Sequence, residues 1–268
     1  MPYPLLGSVR FPKIKNAAKR SFKLSDIEVS AALNPTATKW GVQREYSSSF
    51  NLYDDKKFVT EDEAVGYETC YASTWDIKGI FGLGKNKSYI DFRLLVANCK
   101  NGPNLFLPGK LLEVVTSETS RQFDDERYYL DVTALQKIGT WVNNEVEFTY
   151  HMNEVEHSTH SNFIEYIWSV PITESHYLQF LFGFPKNEKT ASHEAAIKSY
   201  CTSIMQTVQI DFPEWVEREK AAAASVSKDT HQIAAIEPLV WKREADTGSY
   251  LDFRRETAEK AKQTEEQD

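Results

Sequence analysis

Three histidines and two glutamates lie close together in the segment HMNEVEHSTH, residues 151–160. Neutral imidazole and carboxylate groups are ordinary ligands of zinc and similar ions. The spacing does not match the helical H-E-x-x-H pair, and one continuous segment rarely supplies every ligand of a site. We therefore expect His151, His157 and His160 to be polar surface residues. The alternative is a zinc-like metal site formed by these three histidines, with His176 on a neighbouring strand as a more distant ligand.

A glycine-rich string, GIFGLGKN at 79–86, matches the G-x-x-x-x-G-K pattern of a phosphate-binding loop. Asn86 stands where such a loop needs a serine or threonine to hold magnesium. The residues that follow, 88–94, alternate as a strand does, whereas a phosphate-binding loop leads into a helix. We therefore predict a turn between two strands, in which Gly82 and Gly84 supply positive φ angles, and no nucleotide site.

The remaining reactive residue types form no catalytic constellation in the sequence. Cys201 falls on the apolar face of a predicted helix, and Cys70 and Cys99 flank predicted strands with no histidine nearby. Three cysteines without a C-x-x-C pair favour reduced thiols in a cytosol and exclude a zinc ribbon. The acidic segments 61–63 and 124–127 lack the alternating oxygen ligands and central glycine of a calcium loop. The sequence therefore predicts no catalytic residue and no cofactor.

Alternating apolar and polar residues predict strands in the middle of the chain. In segment 142–152, apolar side chains at even positions share one face, whereas His151 lies on the opposite, polar face. Segments 163–170 and 177–184 are apolar and aromatic and are interpreted as a hairpin. This patterning is typical of an antiparallel sheet with one solvated face. The predicted strands are 22–33, 46–53, 71–81, 87–98, 111–116, 142–152, 163–170 and 177–184.

Helical patterning is strongest over 192–209. Apolar residues recur there at helical spacing, namely Ile197, Tyr200, Cys201, Ile204, Met205 and Val208. A helix with one such stripe needs a sheet or another helix to pack against. A second helix is predicted over 212–226, because Asp211 and Glu214 have the spacing of a capping box. A short helix is also predicted over 131–139, between a capping aspartate and a terminal glycine.

These elements predict an α+β fold, with one or more antiparallel sheets within residues 20–185 and the 192–209 helix packed on a sheet face. The order of three strands and one amphipathic helix over 144–209 resembles that of PsbP-like domains, in which such a helix backs a sheet. No functional residue is carried over from this resemblance. A helix-grip-like sheet that encloses an internal cavity is the alternative.

Charge divides the chain into three parts. Six Lys and Arg residues precede the first acidic residue, Asp26, and indicate a basic arm over 1–20. One α+β domain is predicted over 21–245, with a subdivision near 120–140 as the alternative, followed by a charged tail over 246–268. The arm is expected to dock on the acidic surface of the chain itself or to contact another anionic surface.

Net charge and hydropathy restrict the partners. The formal net charge of −8 opposes binding to phosphate backbones, so we expect no nucleic-acid partner. The sequence has no run of about 18 apolar residues, so no membrane span is expected. The first residues carry no secretory signal pattern, and a cytoplasmic location is expected.

Three functions from different classes remain open. The favoured hypothesis is a non-catalytic binding or protein-interaction module, such as an accessory or immunity-type factor, because the sequence shows no catalytic constellation. The first alternative is a carrier of a small, lipid-like ligand in a pocket between the sheet and the 192–209 helix, lined by Phe180, Tyr200 and Ile204. The second is a metal-dependent enzyme that uses the histidine cluster.

Overall fold

The structure is a computed structural model that describes eight stretches of the 268-residue chain. These stretches are 9–35, 49–58, 65–79, 88–125, 129–157, 162–186, 193–226 and 236–242. Five features discussed above lie outside the described residues: the start of the basic arm (1–8), the acidic segment 61–63, the glycine-rich turn (80–87), His160 and the charged tail (246–268).

The described residues form twelve strands, three α-helices and two short 3₁₀ helices. The strands are β1 Val9–Arg10, β2 Ala18–Leu24, β3 Ile27–Leu33, β4 Ser49–Phe50, β5 Val65–Gly79, β6 Ser88–Cys99, β7 Tyr129–Asn143, β8 Val146–His157, β9 Phe163–Pro171, β10 His176–Pro185, β11 Gln209–Asp211 and β12 Leu239–Lys242. The α-helices are α1 Lys110–Asp125, α2 Glu194–Met205 and α3 Glu214–Val226, and the 3₁₀ helices are Ile14–Asn16 and Asp55–Phe58.

Eight of the strands form one large sheet, in the order β1-β5-β6-β10-β9-β8-β7-β12, and each pair is antiparallel. The β7–β8 connection is a two-residue turn in which Asn144 and Glu145 have φ angles of 48° and 64°. Turns with two left-handed residues match the twist of an antiparallel hairpin. The sheet-dominated α+β class predicted from residue alternation is confirmed.

Two predicted elements have the wrong type of secondary structure. Segment 111–116, predicted as a strand, lies within α1, and segment 131–139, predicted as a helix, lies within β7. A short apolar run does not distinguish a strand from a buried helix, and the buried polar residue Glu118 interrupts the helical stripe of α1. In β7, Leu135 and Lys137 have left-handed φ angles of 55° and 53°, and the register shifts there hide the two-residue period.

The other four strands form a smaller sheet in the order β11-β3-β2-β4. Strands β2 and β4 are parallel, and the other two pairs are antiparallel. Segment 22–33, predicted as one strand, is the β2–β3 hairpin, whose turn places Ser25 at a φ angle of 55°. Within the described part of segment 46–53, only Ser49–Phe50 is a strand.

One face of the large sheet carries the larger apolar core, which also includes side chains of the small sheet and α2. Trp168 of β9 and Phe182 of β10 pack edge to face there, with ring centroids 5.5 Å apart. Trp75 of β5 donates a hydrogen bond from Nε1 to the backbone oxygen of Asn34 at 2.9 Å. The Trp75 ring also meets Tyr200 of α2 edge-on at 6.0 Å. The core on this face is therefore aromatic and closely packed.

Helix α1 packs against the opposite face of the large sheet. Its apolar residues Leu111, Val115 and Phe123 belong to a second core cluster that includes Val65 of β5 and Tyr177 of β10. Successive side chains of a strand point to opposite faces, so Tyr177 lies on the other side of the sheet from Leu178 and Phe180. Polar side chains share this second face with the apolar cluster, and they form the site described next.

Candidate functional site

A cavity of about 510 Å³ lies between α1 and the large sheet, and we call it the α1 cavity. Its floor consists of odd-numbered residues from five adjacent strands, which share one face because side chains alternate along each strand. Its roof is formed by residues of α1. The floor residues are Tyr67, Arg93, Leu95, His151, Asn153, Glu165, Ile167, Tyr177, Gln179 and Leu181, and the roof residues are Val115, Glu118, Thr119, Arg121 and Gln122.

One straight row of residues crosses the floor from Arg93 on β6 to His151 on β8. The strand registers align Arg93 with Leu181 on β10, Leu181 with Ile167 on β9, and Ile167 with His151. Arg93 is exposed, whereas His151 is buried. The row therefore has a charged open end, an apolar middle and a polar buried end.

His151 lies at the buried end of the row with only 1% of its surface exposed. The expectation that it is a surface residue is wrong, because α1 covers the face on which it lies. Burial lowers the pKa of its imidazole to about 4, so the ring is neutral near pH 7. Its Nδ1 atom is buried and has no hydrogen-bond partner among the described residues. An unpaired buried nitrogen of this kind costs about 1–3 kcal/mol.

Glu165 is held in place by a short chain of hydrogen bonds that begins at β7. The backbone N–H of Leu135 donates to Oδ1 of Asn153 at 3.1 Å, and Nδ2 of Asn153 donates to Oε2 of Glu165 at 3.3 Å. Burial raises the pKa of Glu165, while the Asn153 hydrogen bond and the charge of Arg93 act in the opposite direction. The Glu165 carboxyl is thus oriented by the amide of Asn153, whose oxygen already accepts a hydrogen bond from Leu135.

Two further polar pairs line the cavity, one within α1 and one between β5 and β10. Arg121 donates from a terminal guanidinium nitrogen to Oε2 of Glu118 at 2.8 Å, within α1. The hydroxyls of Tyr67 and Tyr177 form a hydrogen bond of 2.7 Å. Burial raises the pKa of both phenols, so they remain protonated and act as neutral donors and acceptors.

The cysteines do not contribute a nucleophile. All three are buried and unpaired, as expected for reduced thiols. Burial raises the pKa of Cys70 and Cys99 to about 12, and it also raises the pKa of Cys201. Because the thiolate is the reactive form, these side chains are inert near neutral pH.

A second cavity, of about 720 Å³, lies beside the beginning of α1 and the β7–β8 turn. Its lining includes Lys220 and Glu217 of α3. Burial lowers the pKa of Lys220, whose ammonium donates to Glu217 at 3.0 Å and lies over the ring of Phe212. Lys220 and Glu217 pair with each other, and among the described residues no buried polar side-chain atom of this lining lacks a hydrogen-bond partner, so its chemistry points to a ligand less clearly than that of the α1 cavity.

The residues predicted to line an apolar pocket lie elsewhere. Phe180, Tyr200 and Ile204 are buried together in the larger core cluster, on the face of the large sheet opposite α1. None of the three lines either of the two cavities described here.

The predicted histidine cluster is extended along one strand. His151 and His157 both belong to β8, six residues apart, so their Cα atoms are about 20 Å apart and two imidazoles do not reach one ion across that distance. His160 lies outside the described residues. His176, at the start of β10, is buried, and its Nδ1 lies 2.8 Å from Oγ1 of Thr173. Among the described residues, no group of three or more His, Cys, Asp or Glu side chains is placed to hold a metal ion.

Apart from His151, the sequence reasoning missed the polar residues of the cavity, including four on the floor, namely Arg93, Asn153, Glu165 and Gln179. Each occupies the polar phase of an alternating strand, where solvent exposure is the ordinary explanation. The signal that would have revealed them is a helix that covers these four polar strand faces. Because α1 was not predicted, that signal was missing.

Comparisons of the chain with protein-family models, with curated proteins and with solved structures found no match. In the part of the chain that the structure describes, no helix is long and apolar enough to cross a membrane.

Proposed function

We propose that this is a non-catalytic binding protein that takes a small polar molecule into the α1 cavity. The observation that carries the proposal is the buried imidazole of His151, whose Nδ1 has no hydrogen-bond partner among the described residues, in the lining of a cavity of about 510 Å³. A volume of this size is within the range of small-molecule sites, which combine an apolar surface with a few placed polar groups. Leu181 and Ile167 supply the apolar surface, and Glu165 is a placed polar group.

The proposal differs from a lipid carrier in its location and in its chemistry. The pocket expected between the sheet and the 192–209 helix was apolar, whereas the α1 cavity lies on the opposite face and contains charged and amide side chains. A lipid-like chain would leave these polar groups without partners, and unpaired buried polar groups are costly. A compact polar ligand satisfies them.

The proposal is tested by native mass spectrometry of the purified protein against a panel of small polar metabolites, with a cavity-filling variant as the comparison. We expect Gln179→Trp to place an indole in the cavity and to abolish one-to-one adducts that the wild-type protein forms. Tyr89→Trp is the matched control, because Tyr89 is 41% exposed on β6 and does not line the cavity. Circular dichroism establishes that both variants are folded.

Two results would overturn the proposal. One is a panel in which no compound binds to the wild-type protein. The other is binding that Gln179→Trp leaves unchanged in a folded protein, because the ligand would then occupy a different site.

A further inference from the structure

The row from Arg93 to His151 determines which polar groups a ligand meets at each end. It crosses four adjacent strands, so its terminal Cα atoms are separated by three strand spacings, or about 14 Å. Leu181 and Ile167 fill the interval with aliphatic surface, and Ile167 is only 4% exposed. A ligand lying along the row therefore contacts a cation at one end, an apolar strip in the middle and an imidazole at the other end.

Arg93 is the cation of the cavity that has no ion-pair partner among the described residues. The other arginine of the lining, Arg121, is engaged by Glu118 within α1. Glu165 also faces the cavity, and its Oε2 accepts the hydrogen bond from Asn153. Arg93 and Glu165 attract each other without forming an ion pair, so the guanidinium keeps its donors available at the open end.

An exposed guanidinium at the mouth of a cavity favours a planar anion. Its N–H groups form a rigid fork that matches the two oxygens of a carboxylate, which gives orientation as well as attraction. The neutral imidazole of His151 lines the buried end of the cavity, and a neutral imidazole has one nitrogen that donates and one that accepts. A ligand with a carboxylate at one end and a hydroxyl or carbonyl group at the other complements both.

We infer that the ligand of the α1 cavity is a small organic carboxylate. Its carboxylate pairs with Arg93, its apolar body lies on Leu181 and Ile167, and a distal polar group reaches His151. This inference rests on the proposed function, because it names the chemical class of the molecule that the same cavity takes.

The test is isothermal titration with carboxylates and their neutral amides, using 4-hydroxybenzoate and 4-hydroxybenzamide together with aliphatic hydroxy acids and their amides. We expect each carboxylate that binds to do so about 10- to 100-fold more tightly than its amide, the range for one charge-assisted contact. Arg93→Gln is expected to remove this preference. Arg218→Gln on α3 is the matched control, because Arg218 is exposed and outside the cavity, and it should leave the affinity unchanged.

Three results would overturn the inference. The first is equal binding of acid and amide. The second is unchanged binding of the acid to folded Arg93→Gln. The third is that no carboxylate shows binding that Gln179→Trp blocks. If neutral compounds still bind and Gln179→Trp blocks them, the assignment of a carboxylate fails while the proposed function stands. If nothing binds in the cavity, both fail.

Discussion

Acidification should destabilise the protein through His151, and the size of the effect follows from the burial of its ring. Burial lowers the pKa of His151 from 6.5 to about 4 in the folded protein. The unfolded chain therefore binds a proton at this residue in a pH range where the folded protein does not. The contribution of His151 to stability is fully present above about pH 6.5 and is lost as the pH falls towards 4.

The magnitude can be worked from these two values. Proton linkage with pKa values of 6.5 and about 4 gives a loss of about 2 kcal/mol between pH 7 and pH 5, and about 3 kcal/mol by pH 4. His151→Gln removes the titrating group, so its free energy of unfolding should fall by about 2 kcal/mol less over the pH 7 to pH 5 interval. The difference between the two proteins cancels the contribution of the other titrating groups.

The measurement is urea unfolding followed by tryptophan fluorescence at both pH values, for wild type, His151→Gln and the control His193→Gln. His193 is a partly exposed histidine next to α2, outside the large sheet. The reasoning is refuted if wild type and His151→Gln lose the same free energy, or if His193→Gln reproduces the effect. A lower absolute stability of His151→Gln does not affect the test, which depends on the pH difference alone.

Three further changes have expected outcomes in the same unfolding assay. Burial raises the pKa of Glu165, so the folded protein disfavours the ionised form of this carboxyl. Glu165→Gln should therefore reduce the loss of stability that occurs as the pH rises above 4.5. An unchanged dependence of stability on pH would contradict this. Glu145 has a φ angle of 64°, so Glu145→Gly should stabilise the β7–β8 turn by about 1 kcal/mol, and a destabilised variant would contradict the assigned turn geometry. A Cβ atom at Gly66 would lie 2.1 Å from the backbone oxygen of Phe58, so Gly66→Ala should destabilise the protein by more than about 2 kcal/mol. Gly139→Ala is the control: a Cβ atom at Gly139 has no described atom within 4 Å, so the free energy of unfolding should change little.

The parts of the fold that were predicted correctly are those with complete local patterns. The aromatic segments 163–170 and 177–184 correspond to β9 and β10, and the apolar stripe within 192–209 corresponds to α2. Their periodicity is uninterrupted, so a local rule is sufficient. Helix α1 and strand β7 were predicted wrongly for two different reasons. A buried polar residue breaks the stripe of α1, and left-handed residues break the alternation of β7.

The candidate site was missed because of the error in α1. Alternation placed His151 correctly on the polar face of its strand, but with 111–116 predicted as a strand, no element was available to cover that face. The row that joins Arg93 to His151 also depends on the order β6-β10-β9-β8, which is a property of long-range strand pairing. No pattern within either segment contains that order.

The two faces of the large sheet follow different packing rules, and the contrast supports the location of the site. One face is filled by aromatic rings such as Trp168 and Phe182, and Nε1 of Trp168 and the hydroxyl of Tyr150 are buried there without a hydrogen-bond partner among the described residues. Under α1, the same strands carry an unpaired imidazole nitrogen and a carboxyl whose pKa is raised by burial, both of which oppose folding. His151 and Glu165 line a cavity, whereas Trp168 and Tyr150 belong to the aromatic core of the opposite face or pack against it. Departures from the most stable packing concentrate at functional sites, which supports the proposal that a ligand lies beneath α1.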